Sequence, residues 1–208
     1  MNFPRSIYTE EHDLFRDSVR KFFETEVRPY HDSWELQGHV DRNLWNKAGE
    51  AGFLCPCMPE EYGGSGVDFT YACILMEEQA KVYASGPGFA LHSDIVAPYI
   101  LHYGTEEQKR KYLPRMATGE MVTAIAMTEP GTGSDLQSVK TTAIRQADGT
   151  FLLNGSKTFI TNGYLCDMVI VVAKTDPTQG ATGTSLFLVE ANWAGFSKNK
   201  PLKKIGMK

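Results

Sequence analysis

Cysteine is scarce in this 208-residue sequence, and Cys55, Cys57, Cys73 and Cys166 form no C-x-x-C pair. Neither a zinc-site spacing nor a disulfide framework can be read from them, and free thiols are expected. No apolar run reaches the roughly 18 residues that span a bilayer, and Met1-Asn2-Phe3-Pro4-Arg5 has no apolar signal core. The chain is therefore expected to stay where it is made, without a membrane span. A basic excess is also missing: 21 Lys and Arg against 25 Asp and Glu leave a net charge of -4. Nothing in that balance attracts a phosphate backbone, so nucleic acid is excluded as a partner. His92 and His102 lack a third ligand at metal spacing, and no metal site is expected. Glu60-Glu61 and Glu77-Glu78 are adjacent pairs, which on a helix do not share a face. What is present, 42% hydrophobic and 22% charged residues, suits a globular protein of one or two domains.

The hydrophobic period changes near Gly119, which divides the chain into an all-α N-terminal domain, residues 1–120, and a β-domain, residues 121–208. Behind Thr9 as N-cap, Leu14, Phe15, Val19, Phe22, Phe23 and Val27 form a helical stripe that ends at Pro29. Asp41 caps a second helix with Leu44, Trp45 and Ala48 inside and Gly52 just past its end. Residues 55–66, with Pro56, Pro59, Gly63, Gly64 and Gly66, read as a loop. A third helix runs from Asp68 through Ala72, Leu75, Met76 and Ala80. A fourth runs from Phe89 to about Tyr103 with a bend at Pro98. Thr105 and Gln108 make a capping box for a fifth.

Beyond Gly119 the β-compatible runs are Met121 to Met127, Val139 to Gln146, Ser156 to Thr161, Met168 to Lys174 and Thr184 to Glu190. Asp148-Gly149 predicts a turn, and Asn154-Gly155 and Asn162-Gly163 predict type I′ turns on either side of residues 156–161. No helical pattern separates the runs, so an antiparallel sheet or barrel is expected rather than a parallel βαβ sheet. The fold class is α+β.

The stretch Ala126-Met127-Thr128-Glu129-Pro130-Gly131-Thr132-Gly133-Ser134-Asp135 carries the chemistry. Two glycines one residue apart allow close backbone approach to a ligand, and Thr128, Thr132 and Ser134 supply hydroxyl donors. On spacing alone the loop fits an electron-rich ring edge or a phosphate, and it fits a tight turn capped by Asp135 equally well.

Met127-Thr128-Glu129-Pro130-Gly131-Thr132-Gly133-Ser134-Asp135, followed by Phe159-Ile160-Thr161-Asn162-Gly163, resembles the flavin-binding pair of the acyl-CoA dehydrogenase family. The similarity runs through Met58-Pro59-Glu60-Glu61-Tyr62-Gly63-Gly64, Tyr103-Gly104-Thr105-Glu106-Glu107-Gln108 and the closing Lys204-Ile205-Gly206-Met207. Gly86-Pro87-Gly88-Phe89 and Ile125-Ala126-Met127-Thr128 are most similar to its long-chain branch. The resemblance implies FAD as cofactor, contacted by Ile125, Ala126, Met127, Thr128, Gly133, Ser134, Phe159, Ile160 and Thr161. Thr128 would serve the pyrimidine edge, Thr161 the N5 side, and Phe159 one ring face, where many relatives carry Trp. It implies Ser134 as a contact of the acyl-CoA substrate, with Thr182 and Gly183 as weaker ones whose other reading is a surface turn. Phe89, Leu91 and Ile95 would be acyl-pocket walls or plain core. Glu129 is not the family's base, and a turn-stabilising role is expected of it.

The implied activity is α,β-dehydrogenation of fatty acyl-CoA, with electron-transfer flavoprotein as onward acceptor and a homo-oligomer at full length. The implied location is the bacterial cytoplasm, with the mitochondrial matrix as the alternative. In the family the catalytic glutamate comes from a C-terminal four-helix domain, so the base is expected beyond Lys208 and no catalytic residue is expected within this chain. The 208 residues alone are expected to bind FAD weakly and to be inactive. Same-scaffold acyl-CoA oxidases or flavin monooxygenases, and a noncatalytic FAD- or acyl-CoA-binding fragment, are the alternatives.

Overall fold

Residues 6–205 are described by a computed structural model. The pentapeptide Met1-Asn2-Phe3-Pro4-Arg5 and the Gly206-Met207 end of the closing motif lie outside the described residues. The chain separates into two compact units, one comprising Met1–Met121 with the stretch from Pro201 onward, the other Val122–Lys200. Among the described residues no helix is long and apolar enough to cross a membrane.

In the helical unit, α1 spans Glu10–Phe22 and α2 His31–Gln37. Then come α3 at Arg42–Glu50, α4 at Phe69–Lys81, α5 at Ala97–Tyr103 and α6 at Glu106–Ala117. At the start of α1, Thr9 donates its backbone N–H to His12 Nδ1 at 3.1 Å, so a histidine does what Glu or Gln does in the usual capping box. The stripe then buries Val19, Phe22, Phe23 and Val27, while Leu14, expected inside, is 70% exposed. The helix does not stop with α1 but widens into a π-helical turn over Phe23–Val27. No sequence signal predicts α2, a short helix that buries Trp34 and ends at Gly38 with φ of 89°. On α3, Leu44, Trp45 and Ala48 are buried as the stripe predicts. Asp68 caps α4 by accepting the Thr70 N–H at 2.8 Å. Both halves of the Thr105/Gln108 box are formed at α6, at 2.9 and 3.2 Å.

Pro98 sits in the first turn of α5, directly after a π-helical segment over Leu91–Val96. The wider turn absorbs the N–H that proline lacks and the clash of its ring with the preceding turn. Trp45 is fully buried and meets Phe89 edge-on at 4.9 Å and His92 at 5.2 Å. His92 is a packed histidine, its Nε2 3.1 Å from the Met116 carbonyl, and burial pushes its pKa down to about 4. Between α1 and α4 the buried Glu78 accepts from Arg16 at 3.1 Å, Arg20 at 3.0 Å and Lys81 at 2.6 Å. Glu77 shares the same Arg16 nitrogen at 2.6 Å, so the two adjacent glutamates are tethers between helices.

The second unit holds one five-stranded sheet: β1 Thr123–Ala126, β2 Thr142–Arg145, β3 Phe151–Asn154, β4 Met168–Lys174 and β5 Thr184–Glu190. The expected antiparallel arrangement needs correction, because the sheet is mixed. β4 runs parallel to β1, pairing Thr123 with Met168 through Ala126 with Val171, and parallel to β2 at Thr142 and Lys174. β5 pairs antiparallel along the whole of β4, and β2 with β3 likewise. A parallel pair needs a long crossover, usually a helix. Here the crossover is residues 127–167, a loop and the β2–β3 hairpin, which leaves no helical period to read. β4 is buried at every position, the mark of a central strand.

The hairpin turns at Asp148-Gly149, where Gly149 has φ of 86°, as its sequence predicts. The two Asn-Gly pairs do not form type I′ turns. Asn154 is the last residue of β3, and a Cβ on Gly155 would lie 2.2 Å from Thr141 Oγ1. Residues 156–161 form no strand.

Gly119 has φ of +73°, and a Cβ there would lie 2.1 Å from the Trp45 carbonyl oxygen. Gly119→Ala should therefore lower stability by about 2 to 3 kcal/mol in urea unfolding. Gly66→Ala, with φ of +63° but nothing within 4 Å, should lose only about 1 kcal/mol. Equal losses would rule out the Trp45 contact as the cause.

Candidate functional site

After β1 the chain leaves the sheet at Met127 and closes a turn around Pro130-Gly131. Glu129 N–H donates to the Thr132 carbonyl at 2.9 Å, and Thr132 N–H returns to the Glu129 carbonyl at 3.1 Å. Thr132 Oγ1 donates to the Ser138 carbonyl at 3.0 Å, and Ser138 Oγ donates to Asp135. Asp135 thus stands at the N-cap position of the turn Leu136–Ser138, but its side chain bonds the Ser138 hydroxyl and caps no backbone N–H. The glycines remain open: a Cβ on Gly131 or Gly133 would meet nothing within 4 Å.

Glu129 is buried beneath this turn, and its carboxylate is the best-connected group of the unit. It accepts the Lys140 N–H at 2.7 Å, the Thr141 N–H at 2.9 Å, the Thr141 hydroxyl at 2.5 Å and the Lys157 ammonium at 2.9 Å. Burial works to raise its pKa, but the Thr141 hydroxyl, Lys157 and the two amides outweigh it and hold the carboxyl at about 2. A carboxylate so pinned is no proton acceptor, and its role is to hold the turn.

The second stretch comes to the first through the backbone. Thr158 N–H donates to the Thr128 carbonyl at 2.9 Å, and Lys157 Nζ also donates to the Met127 carbonyl at 3.0 Å. The chain then bends tightly: Gly163 N–H bonds the Ile160 carbonyl at 2.9 Å, and Asn162 Nδ2 reaches back to the Thr123 carbonyl at 3.1 Å. Phe159 and Asn162 both have positive φ, 56° and 62°. For Phe such a conformation costs on the order of 1 kcal/mol or more and persists only where neighbours enforce it. The Phe159 ring is 72% exposed.

Of the residues expected at the flavin, Ile125 and Ala126 are buried in β1, opposite Ile170 and Val171. Ala126 packs with Val169, Val171 and Cys166, and Ile160 leans on that cluster. Ala126 and Ile160 thus share one apolar cluster, while Ile125, the next residue along β1, faces the other side of the sheet. Met127, Thr128 and Thr161 are half-buried, and Gly133, Ser134 and Phe159 are exposed. Thr128 is therefore bonded to the start of the Thr158–Thr161 segment, and the two stretches so joined carry an exposed aromatic, hydroxyls and open glycine backbone. That set fits a flat, apolar-faced ring with a polar edge, and the buried negative charge of Glu129 is already neutralised.

Thr182 and Gly183 close a short helical turn over Pro177–Gly183, which packs against the turn Leu136–Ser138. Gly183 accepts the Thr175 and Asp176 amides at 2.9 and 3.1 Å, and a Cβ there would lie 1.9 Å from the Asp176 carbonyl oxygen. Thr182 Oγ1 donates to the Gln179 carbonyl at 2.8 Å. Packing alone accounts for this glycine. In the helical unit Phe89 is buried and lines a shallow crevice with Phe53, Leu75, Met76, Ser93 and Asp94. Ile95 is exposed. Sequence reasoning passes over Thr141 and Lys157, because Lys157 falls in an expected strand and nothing local marks it as the partner of Glu129.

Two family profiles match: "Acyl-CoA dehydrogenase, N-terminal domain" over residues 9–120, and "Acyl-CoA dehydrogenase, middle domain" over residues 124–208. The long-chain specific acyl-CoA dehydrogenase, mitochondrial, of Rattus norvegicus is 54% identical over 206 residues, 98% of this chain and 48% of that protein. The crystal structure of an acyl-CoA dehydrogenase from Geobacillus kaustophilus superposes with a TM-score of 0.94 at 48% identity, covering 98% of this chain and 54% of that one. An acyl-CoA dehydrogenase from Bacillus anthracis complexed with FAD gives 0.85 at 38% identity, covering 99% and 36%. The chain spans about half the length of the curated relatives it matches.

The Glu129 seat makes stability depend on pH. Its folded pKa is lowered from the ordinary 4.5 to about 2, so its contribution is complete above about pH 5 and is lost as pH falls toward 2. The gap corresponds to at most about 3 kcal/mol. Urea unfolding at a series of pH values should show the advantage of wild type over Glu129→Gln shrinking across that window. A constant advantage would mean the group is not ionised in its seat.

Proposed function

The chain belongs to the acyl-CoA dehydrogenase family, and from that premise we propose that the protein carrying it is an oxidoreductase that desaturates fatty acyl-CoA thioesters between Cα and Cβ. FAD is its immediate electron acceptor and an electron-transfer flavoprotein the onward one. The observation that carries this reading is the Thr158-to-Thr128 hydrogen bond, which sets an exposed, strained Phe159 and Thr161 beside a glycine-rich, hydroxyl-bearing loop. FAD, when bound, supplies hydride acceptance from the substrate's β-carbon.

The chain's own residues orient and sequester. Thr128 would present a hydroxyl donor to the ring's polar edge, and a fixed donor there would favour substrate oxidation. Phe159 covers one ring face and excludes water from it. Thr161 would contribute a second hydroxyl on the N5 side of the ring. Gly133 lets the backbone come close, and Ser134 serves the substrate's CoA portion. Ala126 and Ile160 root the two stretches in one apolar cluster, with Ile125 and Met127 on either side of Ala126. Thr182 and Gly183 remain the weaker substrate contacts, at a turn adjoining the loop's end.

The 54% identity to a long-chain specific enzyme supports long acyl chains. The FAD complex of the Bacillus anthracis relative supports the cofactor. Mitochondrial and bacterial relatives both occur, so the bacterial cytoplasm and the mitochondrial matrix are both open to the protein. A homo-oligomer is the proposed state of the full-length protein.

The purified whole protein should show the visible absorbance of bound flavin, bleached on anaerobic addition of a saturated long-chain acyl-CoA. Bound flavin that no acyl-CoA bleaches would refute the dehydrogenase reading. Phe159→Ala should weaken FAD binding about tenfold, measured by fluorescence quenching, through loss of the stacked face.

A further inference from the structure

The bonds between the two loops are concentrated on one short stretch. Lys157 Nζ donates to the Met127 carbonyl at 3.0 Å and to Glu129 Oε1 at 2.9 Å, so its ammonium straddles Thr128. Thr128 itself accepts the N–H of the next residue, Thr158, at 2.9 Å. Residues 127, 128 and 129 are thus each bonded to 157–158, and Phe159 follows at once. The Lys157 and Glu129 side chains are 10% and 6% exposed, so they are directed at each other and at backbone rather than outward. Thr141 reaches Glu129 Oε1 at 2.5 Å across a gap kept by Gly155, whose absent Cβ would lie 2.2 Å from the Thr141 hydroxyl.

We infer that Lys157 and Glu129, with Thr141 admitted by Gly155, are positioning residues that set the register of Phe159 and Thr161 against Thr128 for the flavin. This rests on the function proposed above. None of the four need touch cofactor or substrate, because they act through the backbone of residues 127–129. A buried ion pair is well suited to fixing a register, since charge-assisted bonds are short and directional, and breaking one side leaves the other charge buried and alone. Stability and positioning can therefore be separated by neutralising both partners together.

The test compares Lys157→Met, Lys157→Arg and the charge-neutral double variant Glu129→Gln with Lys157→Met, in the whole protein. FAD affinity is read by fluorescence quenching, the potential of bound flavin by dye equilibration, and stability by urea midpoint. Lys157→Met should weaken FAD about tenfold and shift the potential, with partial rescue by Lys157→Arg. The double variant should recover part of the unfolding midpoint lost in Lys157→Met, the Lys140 and Thr141 donors still facing the altered side chain, while FAD affinity and potential stay altered. Variants that bind FAD with wild-type affinity and potential would overturn the inference and leave the function standing. So would a double variant that regains affinity together with stability, since the pair would then be merely structural. A wild-type protein that binds no FAD would sink the function and the inference together.

Discussion

A carboxylate taken out of water must be given back the hydrogen bonds it leaves behind, and how that is done at Glu129 governs the β-unit's functional loops. Two amides, a hydroxyl and one ammonium converge on it from residues 140, 141 and 157, all outside the turn it belongs to. An unpaired buried charge of this kind would be driven to protonate. With four donors it stays ionised and becomes a fixed node. Because the node lies one residue beyond Thr128, the loop's donors are positioned by an interaction that itself faces inward.

The helical unit solves the same problem with different means. Glu78 is as deeply buried, yet its donors are three cations, Arg16, Arg20 and Lys81, which join α1 to α4. Burial again works to raise the carboxyl, and the lysine and two arginines outweigh it to leave it lowered. Arg16 and Arg20 are shared with Glu77 and Asp17, so the charges balance over a network, and Glu78 keeps two cations when one is lost. Among the described residues the Glu129 carboxylate is paired with one cation, and neutralising Lys157 removes that opposing charge. That difference is why the Lys157 pair is tightly coupled to local geometry, while Glu78 belongs to the packing of two helices.

Local grammar is the legible part of this sequence. Caps at Thr105 and Asp68, the stripe of Leu44, Trp45 and Ala48, and the Asp148-Gly149 turn all follow from residues a few positions apart, and all are present. The readings that fail depend on distant partners. The parallel pairing of β1 with β4 leaves no local sign when its crossover contains a hairpin instead of a helix. Asn154-Gly155 has the composition of a turn, but its glycine answers a close approach by Thr141. The candidate site is legible as a motif and illegible as a mechanism: Thr128, Ser134, Phe159 and Thr161 can be named, whereas Lys157 acquires meaning only when Glu129 is folded above it.

Phe159 shows why that mechanism is needed. A phenylalanine gains by burial and prefers negative φ, and here it has neither: it is 72% exposed with φ of 56°. Two local preferences are violated at one residue, and such conflicts concentrate where a structure serves something other than its own stability. The segment cannot hold that conformation by itself. It is held on one side by Thr158 on Thr128 and on the other by Asn162 on Thr123, both anchored to β1 or its immediate extension. β1 is in turn zipped to the fully buried β4. The strain at the ring is therefore borne by a strand pair buried in the unit's core, and an aromatic face can be offered outward without the loop collapsing onto it.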